Sequence, residues 1–165
     1  MRRPVPLPAG PGQESVWDYP RPPRAEPDGR LIVVELGGVV VCSTRRAVRV
    51  LETSHPPTWY LPEADWLPGS LVPAAGSSVC EWKGDASYLT VVGRDARAER
   101  AAWTYRAPVP AFAVLRDAVA VYPAAMDRCT VDGQVVRAQD GGFYGGWVTD
   151  DVVGPFKGVP GSTGW

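Results

Sequence analysis

Residues 30–43 read RLIVVELGGVVVCS, two apolar runs held apart by Gly37-Gly38. β-Branched side chains crowd both runs, and a Gly-Gly pair supplies the positive φ that a two-residue hairpin turn demands. The stretch is therefore a β-hairpin, and the chain on either side reads in the same way. CEWKGDASYLTVVG (80–93) and RAAWTYRAP (100–108) make a second hairpin around the turn RDARAE. CTVDGQVVRA (129–138) makes a third, turning at Asp132-Gly133. PAFAVLRDAVAVYP (110–123) gives a turn of helix around Phe112 to Arg116, then a strand from Ala118 to Tyr122. Eighteen Gly and eighteen Pro favour turns over long helices. The expected fold is mainly β: a single compact antiparallel β-hairpin domain with short helical pieces.

The remaining segments are read less directly. Ser43 to Glu52 (STRRAVRVLE) is expected to make one helical turn, capped by Ser43 or Thr44, followed by an extended piece. TSHPPTWYLP (53–62) is read as a proline-stiffened loop presenting His55, Trp59 and Tyr60. Residues 1–13 are expected to be a disordered tail, and 14–29 an extended proline-rich arm carrying Trp17 and Tyr19. Such an arm could close a groove or cross to the second subunit of a homodimer. Residues 30–165 form the domain, including a glycine-rich C-terminal stretch whose aromatics should pack and not dangle.

A chain of 165 residues suits one domain. Net charge is −1 and the arginines are scattered among acids, which argues against a nucleic-acid polymer as partner. With no apolar stretch near the ~20 residues of a membrane span and no apolar leader segment, neither a membrane partner nor export is expected, and a cytoplasmic location is the simple inference. Cys42, Cys80 and Cys129 lie far apart and only one histidine is present. That set indicates no disulfide framework and no zinc site, so no metal and no cofactor are expected.

The chemistry points to Cys80–Tyr88, CEWKGDASY. Against fifteen arginines the chain has two lysines, each in the same local word: Trp82-Lys83-Gly84 and Phe156-Lys157-Gly158. Where arginine is the default cation, a retained lysine marks a place that wants a compact ammonium, although two occurrences are also what chance could give. If Trp82 to Tyr88 runs extended, Trp82, Gly84, Ala86 and Tyr88 share one face, small residues leaving a hollow between large rings. Trp103 and Tyr105 share a face of the partner strand and could meet Tyr88. Core packing is the plainer explanation for any single ring. The set, next to Lys83, reads as a cleft for a planar, partly polar small-molecule ligand such as a nucleobase, nucleoside or related metabolite. His55 reads as an ordinary loop histidine, and Cys80 as a structural thiol that could touch a ligand.

The strings HPPTWYLP, CEWKGDASY, AAWTYRAPVP, FYGGWVT and GPFKGVPGSTGW, in this order, resemble those of the bacterial family called domain of unknown function 427, also filed under a nucleotidyltransferase-like label. The resemblance runs from about Glu14 to Trp165. It implies a β-tent architecture related to the thalidomide-binding domain of cereblon, which holds small cyclic ligands in a cage of aromatic rings. Carried over, it would place such a cage on Trp82, Tyr88 and Trp103, with Tyr60 from the proline loop and Lys83 at its edge. The paired CxxC zinc ligands of many β-tent relatives are missing here. The family's label makes metal-dependent nucleotidyl transfer the alternative function. That chemistry wants paired carboxylates after a Gly-Ser, yet none follows Gly69-Ser70 or Gly76-Ser77, and Asp150-Asp151 would point to opposite faces of a strand. A third class is an interaction protein that uses the arm and tail as contacts.

Overall fold

The computed structural model describes residues 2–165. In chain order its strands are β1 (Glu14–Ser15), β2 (Arg24–Asp28), β3 (Ile32–Leu36), β4 (Val39–Thr44), β5 (Ala47–Leu51), β6 (Thr58–Pro62), β7 (Leu71–Cys80) and β8 (Gly84–Val92). They continue with β9 (Arg97–Thr104), β10 (Ala118–Val121), β11 (Arg128–Val131), β12 (Gln134–Val135), β13 (Arg137–Ala138), β14 (Trp147–Val148) and β15 (Val152–Val153). Helical structure among the described residues is confined to short 3-10 turns, including Pro110–Leu115. None of these helices is long and apolar enough to cross a membrane.

The three hairpins form where the turn residues place them. Gly37 and Gly38 take φ of 58° and 76° between β3 and β4, and Asp132 and Gly133 take 47° and 83° between β11 and β12. Both pairs have the all-positive φ that matches the twist of the flanking strands. These two hairpins join through β3 and β11 into a four-stranded antiparallel sheet, β12-β11-β3-β4. The β8-β9 hairpin belongs to a seven-stranded antiparallel sheet, β2-β5-β6-β10-β9-β8-β7. Residues on one face of the larger sheet, Trp59, Leu61, Leu89, Val91, Val119 and Val121, pack with Ile32, Val34, Leu36 and Val41 of the smaller one. Its other face carries Val50, Tyr60, Ala86 and Ala120, with Trp103 beside them. Strand parity thus divides the molecule into an aliphatic interior and an aromatic face with small residues between the rings.

Two segments differ from expectation. No helical turn forms in 43–52: β4 continues to Thr44, and after a bend β5 begins at Ala47. All five residues of β5 are buried, because β2 and β6 flank it and both its faces are covered. Covered faces erase the alternation that would have marked a strand. Likewise 53–62 is a loop only in its first half, since Thr58–Pro62 is a central strand between β5 and β10. Pro62, at the end of β6, closes the strand instead of breaking it. Trp59 and Tyr60 are therefore buried on opposite faces of a sheet and are not presented by a loop.

The N-terminal segment folds onto its own chain. β2 pairs with β5 along its whole length as an edge strand, and β1 pairs in parallel with β15. Trp17, Tyr19, Val16, Leu51 and Val152 make a small core of their own. Arg49, almost wholly buried on β5, meets Glu14 at 2.7 Å, Glu26 at 2.7 Å and Asp28 at 3.5 Å. Of the segment read as a disordered tail, Met1 lies outside the described residues, while the Leu7 amide donates to the Gly154 carbonyl. The C-terminal segment is stitched to the 53–57 loop: Trp147 N donates to Pro57 O and Lys157 N to Ser54 O, both at 2.8 Å. Trp147 is fully buried, and its indole N–H donates to the Val121 carbonyl.

Candidate functional site

A cleft of about 350 Å³ opens between the aromatic face of the seven-stranded sheet and the C-terminal segment. Strands β5, β6, β8 and β9 supply Val50, Tyr60, Ala86, Tyr88 and Trp103, and Tyr105 follows just after β9. The 52–56 loop brings Glu52 and His55, the end of β7 brings Cys80, and the following turn brings Lys83. The far wall is Gln139, Tyr144, Gly145 and Lys157. Register explains why the rings converge: Tyr88 is directly opposite Trp103, which is opposite Ala120 on the next strand. Tyr60 and Trp103 stand edge to face at 6.5 Å, with the Trp103 indole N–H donating to the Tyr60 hydroxyl at 3.3 Å. Tyr122 lies 4.7 Å from Trp103, and the Arg100 guanidinium covers the Tyr88 ring at 4.7 Å. Gly145 matters through close approach, since a Cβ there would overlap Cη2 of Trp103. The missing side chain lets the far wall close down on the indole.

Four of the five residues singled out in the sequence, Tyr60, Lys83, Tyr88 and Trp103, line this one cleft. Trp82 does not. It sits in the Glu81–Lys83 turn, ahead of Gly84 with φ of 113°, where the strand begins. The extended reading that put Trp82 on the same face as Tyr88 therefore fails, since the strand starts two residues later, and its ring packs against the cluster that holds Tyr60, Tyr105 and Phe112. Sequence reasoning missed Lys157, Gln139 and Tyr144, which arrive from a segment far along the chain. It read His55 as an ordinary loop histidine. One signal was available: both lysines of the chain, and no arginine, are among the residues that line the cleft.

The electrostatics follow from burial. Lys83 is 9% exposed and, among the described residues, makes no ion pair with a carboxylate. Burial alone pulls its pKa down, but Tyr60, Cys80 and, more weakly, Glu52 more than offset this, so the group stays an ammonium. Cys80 shows the reciprocal effect. Burial pushes its thiol up, yet Lys83 and the amides of Trp82 and Lys83 bring it net below the usual thiol range. Burial raises Tyr60 and Tyr105, which remain neutral phenols. His55 is lowered to about 4 by burial and by the nearby charges of Lys157, Arg21 and Lys83.

Gln139 fixes the tautomer of that histidine. Its Oε1 accepts from Gly146 N and its Nε2 donates to Lys157 O, so the amide orientation is determined. Nε2 also faces His55 Nδ1 at 3.1 Å, making Nδ1 the acceptor and leaving the proton on the imidazole Nε2. That proton faces Glu52 at 3.8 Å, while Glu52 is itself 3.4 Å from Arg21. The cleft thus presents flat rings, two ammonium groups and one carboxylate with a cation of its own.

The residues weighed for phosphoryl chemistry lie elsewhere. Ser70 Oγ donates to Leu67 O, and Gly76-Ser77 falls within β7. Asp151 pairs with Arg30 at 2.8 Å and accepts from Thr149, and Asp150 is exposed beside Arg137. None of them lines the cleft.

No curated protein matches the chain. A family model carrying a nucleotidyltransferase label and described as Domain of unknown function (DUF427) matches residues 24–132, well over half of the sequence. The matched span holds the sheet side of the cleft with Tyr60, Cys80, Lys83, Tyr88 and Trp103, and stops short of the wall that carries Lys157. On the strength of that match, the chain belongs to the DUF427 family.

Proposed function

We propose that the cleft binds a small, planar, partly polar molecule, of the class of a nucleobase, nucleoside or related metabolite, with an anionic or carbonyl oxygen directed at Lys83 and Lys157. The observation that carries this reading is the gathering of the chain's two lysines at one ring-lined opening that none of its fifteen arginines lines. A buried ammonium without a carboxylate partner is costly unless something supplies the missing oxygen. Stacking on rings such as Trp103 contributes about 1 to 3 kcal/mol per planar group. The β-tent resemblance of the sequence points to the same class of guest. Metal-dependent nucleotidyl transfer is the competing reading. It calls for carboxylates grouped around a metal, whereas the cleft offers Glu52, already 3.4 Å from Arg21.

Calorimetric titration with a panel of nucleobases and nucleosides tests the proposal. Saturable binding should weaken at least tenfold in both Trp103→Ala and Lys83→Met. Heat that is absent across the panel, or unchanged in both variants, overturns it. Release of pyrophosphate from nucleoside triphosphates, dependent on Mg²⁺ or Mn²⁺, would establish the competing reading.

A further inference from the structure

Among the described residues Cys80 is the one cysteine that faces the cleft, Cys42 and Cys129 being buried between the sheets. Burial raises each of those two thiols to about 12, so neither ionises near neutrality. Cys80 stands at the other extreme. It ends β7, three residues before Lys83, which closes the following turn and lines the same cleft, and against the push of burial the neighbouring Lys83 ammonium draws its pKa down. A turn around a cysteine would mean little alone. The second observation is Lys83 itself, nine-tenths buried, unpaired with any carboxylate among the described residues and lining the same cleft as Cys80. An ammonium beside a thiol is arranged both to stabilise its thiolate and to receive a developing negative oxygen.

We propose that Cys80 is the nucleophile of this cleft, adding reversibly through Sγ to the electrophilic carbon of a planar, conjugated carbonyl ligand whose oxygen is held by Lys83. The idea rests on the cleft being a site for planar guests. The reactive form is the Cys80 thiolate beside the Lys83 ammonium. The thiolate lone pair forms the S–C bond at the carbon β to the carbonyl, and the C=C π pair shifts to leave an enolate on oxygen. Lys83 then gives a proton to the enolate, so no leaving group, oxidant or second reactant is involved, and the reverse sequence releases the ligand. A conjugated carbonyl suits the setting because it is flat across both double bonds. The rings that stack on it therefore also hold its β-carbon in place. The neutral phenols of Tyr60 and Tyr105 flank the pair as further donors to the same oxygen.

The test uses 2-cyano-3-phenylacrylamide, a planar acceptor whose near-ultraviolet absorbance is lost on reversible thiol addition. At pH 7.5 the full chain should bleach this probe at least tenfold more, per thiol, than N-acetylcysteine, with recovery on dilution. Cys80→Ala should abolish the bleaching, and Lys83→Met should reduce it at least tenfold. Cys80→Ser serves if the alanine variant does not fold. Bleaching no greater than the free thiol gives, bleaching that survives in Cys80→Ala, or indifference to Lys83→Met overturns the proposal. Calorimetry of the same probe separates the two levels of the argument. Saturable heat in Cys80→Ala without excess bleaching in the parent leaves the planar-ligand reading standing and removes the nucleophile. Heat that is absent from every protein removes both.

Discussion

His55 remains a neutral base far into the acid range, since burial and the cations around it lower its pKa from 6.5 to about 4. The unfolded chain takes up that proton near pH 6.5, whereas the folded chain resists until about pH 4. Stability is therefore full above 6.5 and falls as the pH drops through this window, by on the order of 3 kcal/mol in total. The depressed carboxylates Glu14, Asp28, Asp65 and Asp151 lose their contribution in a separate, lower window, below the ordinary carboxylate range. Urea unfolding at pH 7.0 and 4.5 should accordingly show a large loss in the parent and a much smaller one in His55→Gln. Equal losses in the two proteins would mean that the imidazole titrates normally. Little of this was legible in the sequence, where His55 stood beside prolines with no visible partner. Its environment is made by Gln139 and Lys157, more than eighty residues away in the chain. The pairing of Tyr88 with Trp103, by contrast, could be read directly, because parity along two strands joined by a short turn fixes which side chains meet.

Whole elements were readable where turn chemistry and alternation agreed, as in the three hairpins. They were hidden where tertiary cover removed the pattern, as in β5 and β6, or where composition argued against a strand. β7 is an instance of the latter: LVPAAGSSVC holds a proline, a glycine and two serines, yet it pairs with β8 across an irregularity between Pro73 and Ser77. The segment forming the far wall of the cleft makes its own prediction through Gly145. Its backbone would accept alanine, but the added methyl would meet Trp103, whose indole is held by Tyr60 and Tyr122 and cannot swing aside freely. Gly145→Ala should therefore shift the indole, weaken ligand binding about tenfold and lower stability by about 1 to 3 kcal/mol. Calorimetric titration together with urea unfolding measures both effects. Unchanged affinity would show that this wall does not set the position of Trp103.

For the molecule as a whole, the N-terminal segment is structural. Arg49 is buried with its charge met by Glu14, Glu26 and Asp28, all from residues 14–28. Deleting residues 2–28 strips all three carboxylates from the guanidinium and also removes Val16, Trp17 and Tyr19 from their own small core. Leaving a buried charge unpaired costs about 3 to 5 kcal/mol, a large part of what a domain of this size has in reserve. A thermal scan by circular dichroism should show cooperative unfolding abolished in that truncation. Deletion of residues 2–12 alone, which removes the Leu7 bond to Gly154 but no member of the ion cluster, should leave a sharp transition. Cooperative melting of the longer truncation would make the segment a detachable appendage. The sequence showed the segment's prolines and aromatics but not its role, because the need for its acids comes from Arg49, and nothing in the linear pattern says that this arginine is buried.

The cleft draws one wall from residues near position 50 and another from Lys157. A ribosome must therefore have polymerised nearly everything described here before both lysines can line the cleft. An interrupted translation product would leave the Trp103 indole without the backbone of Gly145 against it. The cleft is thus completed only once the C-terminal segment has been made and docked.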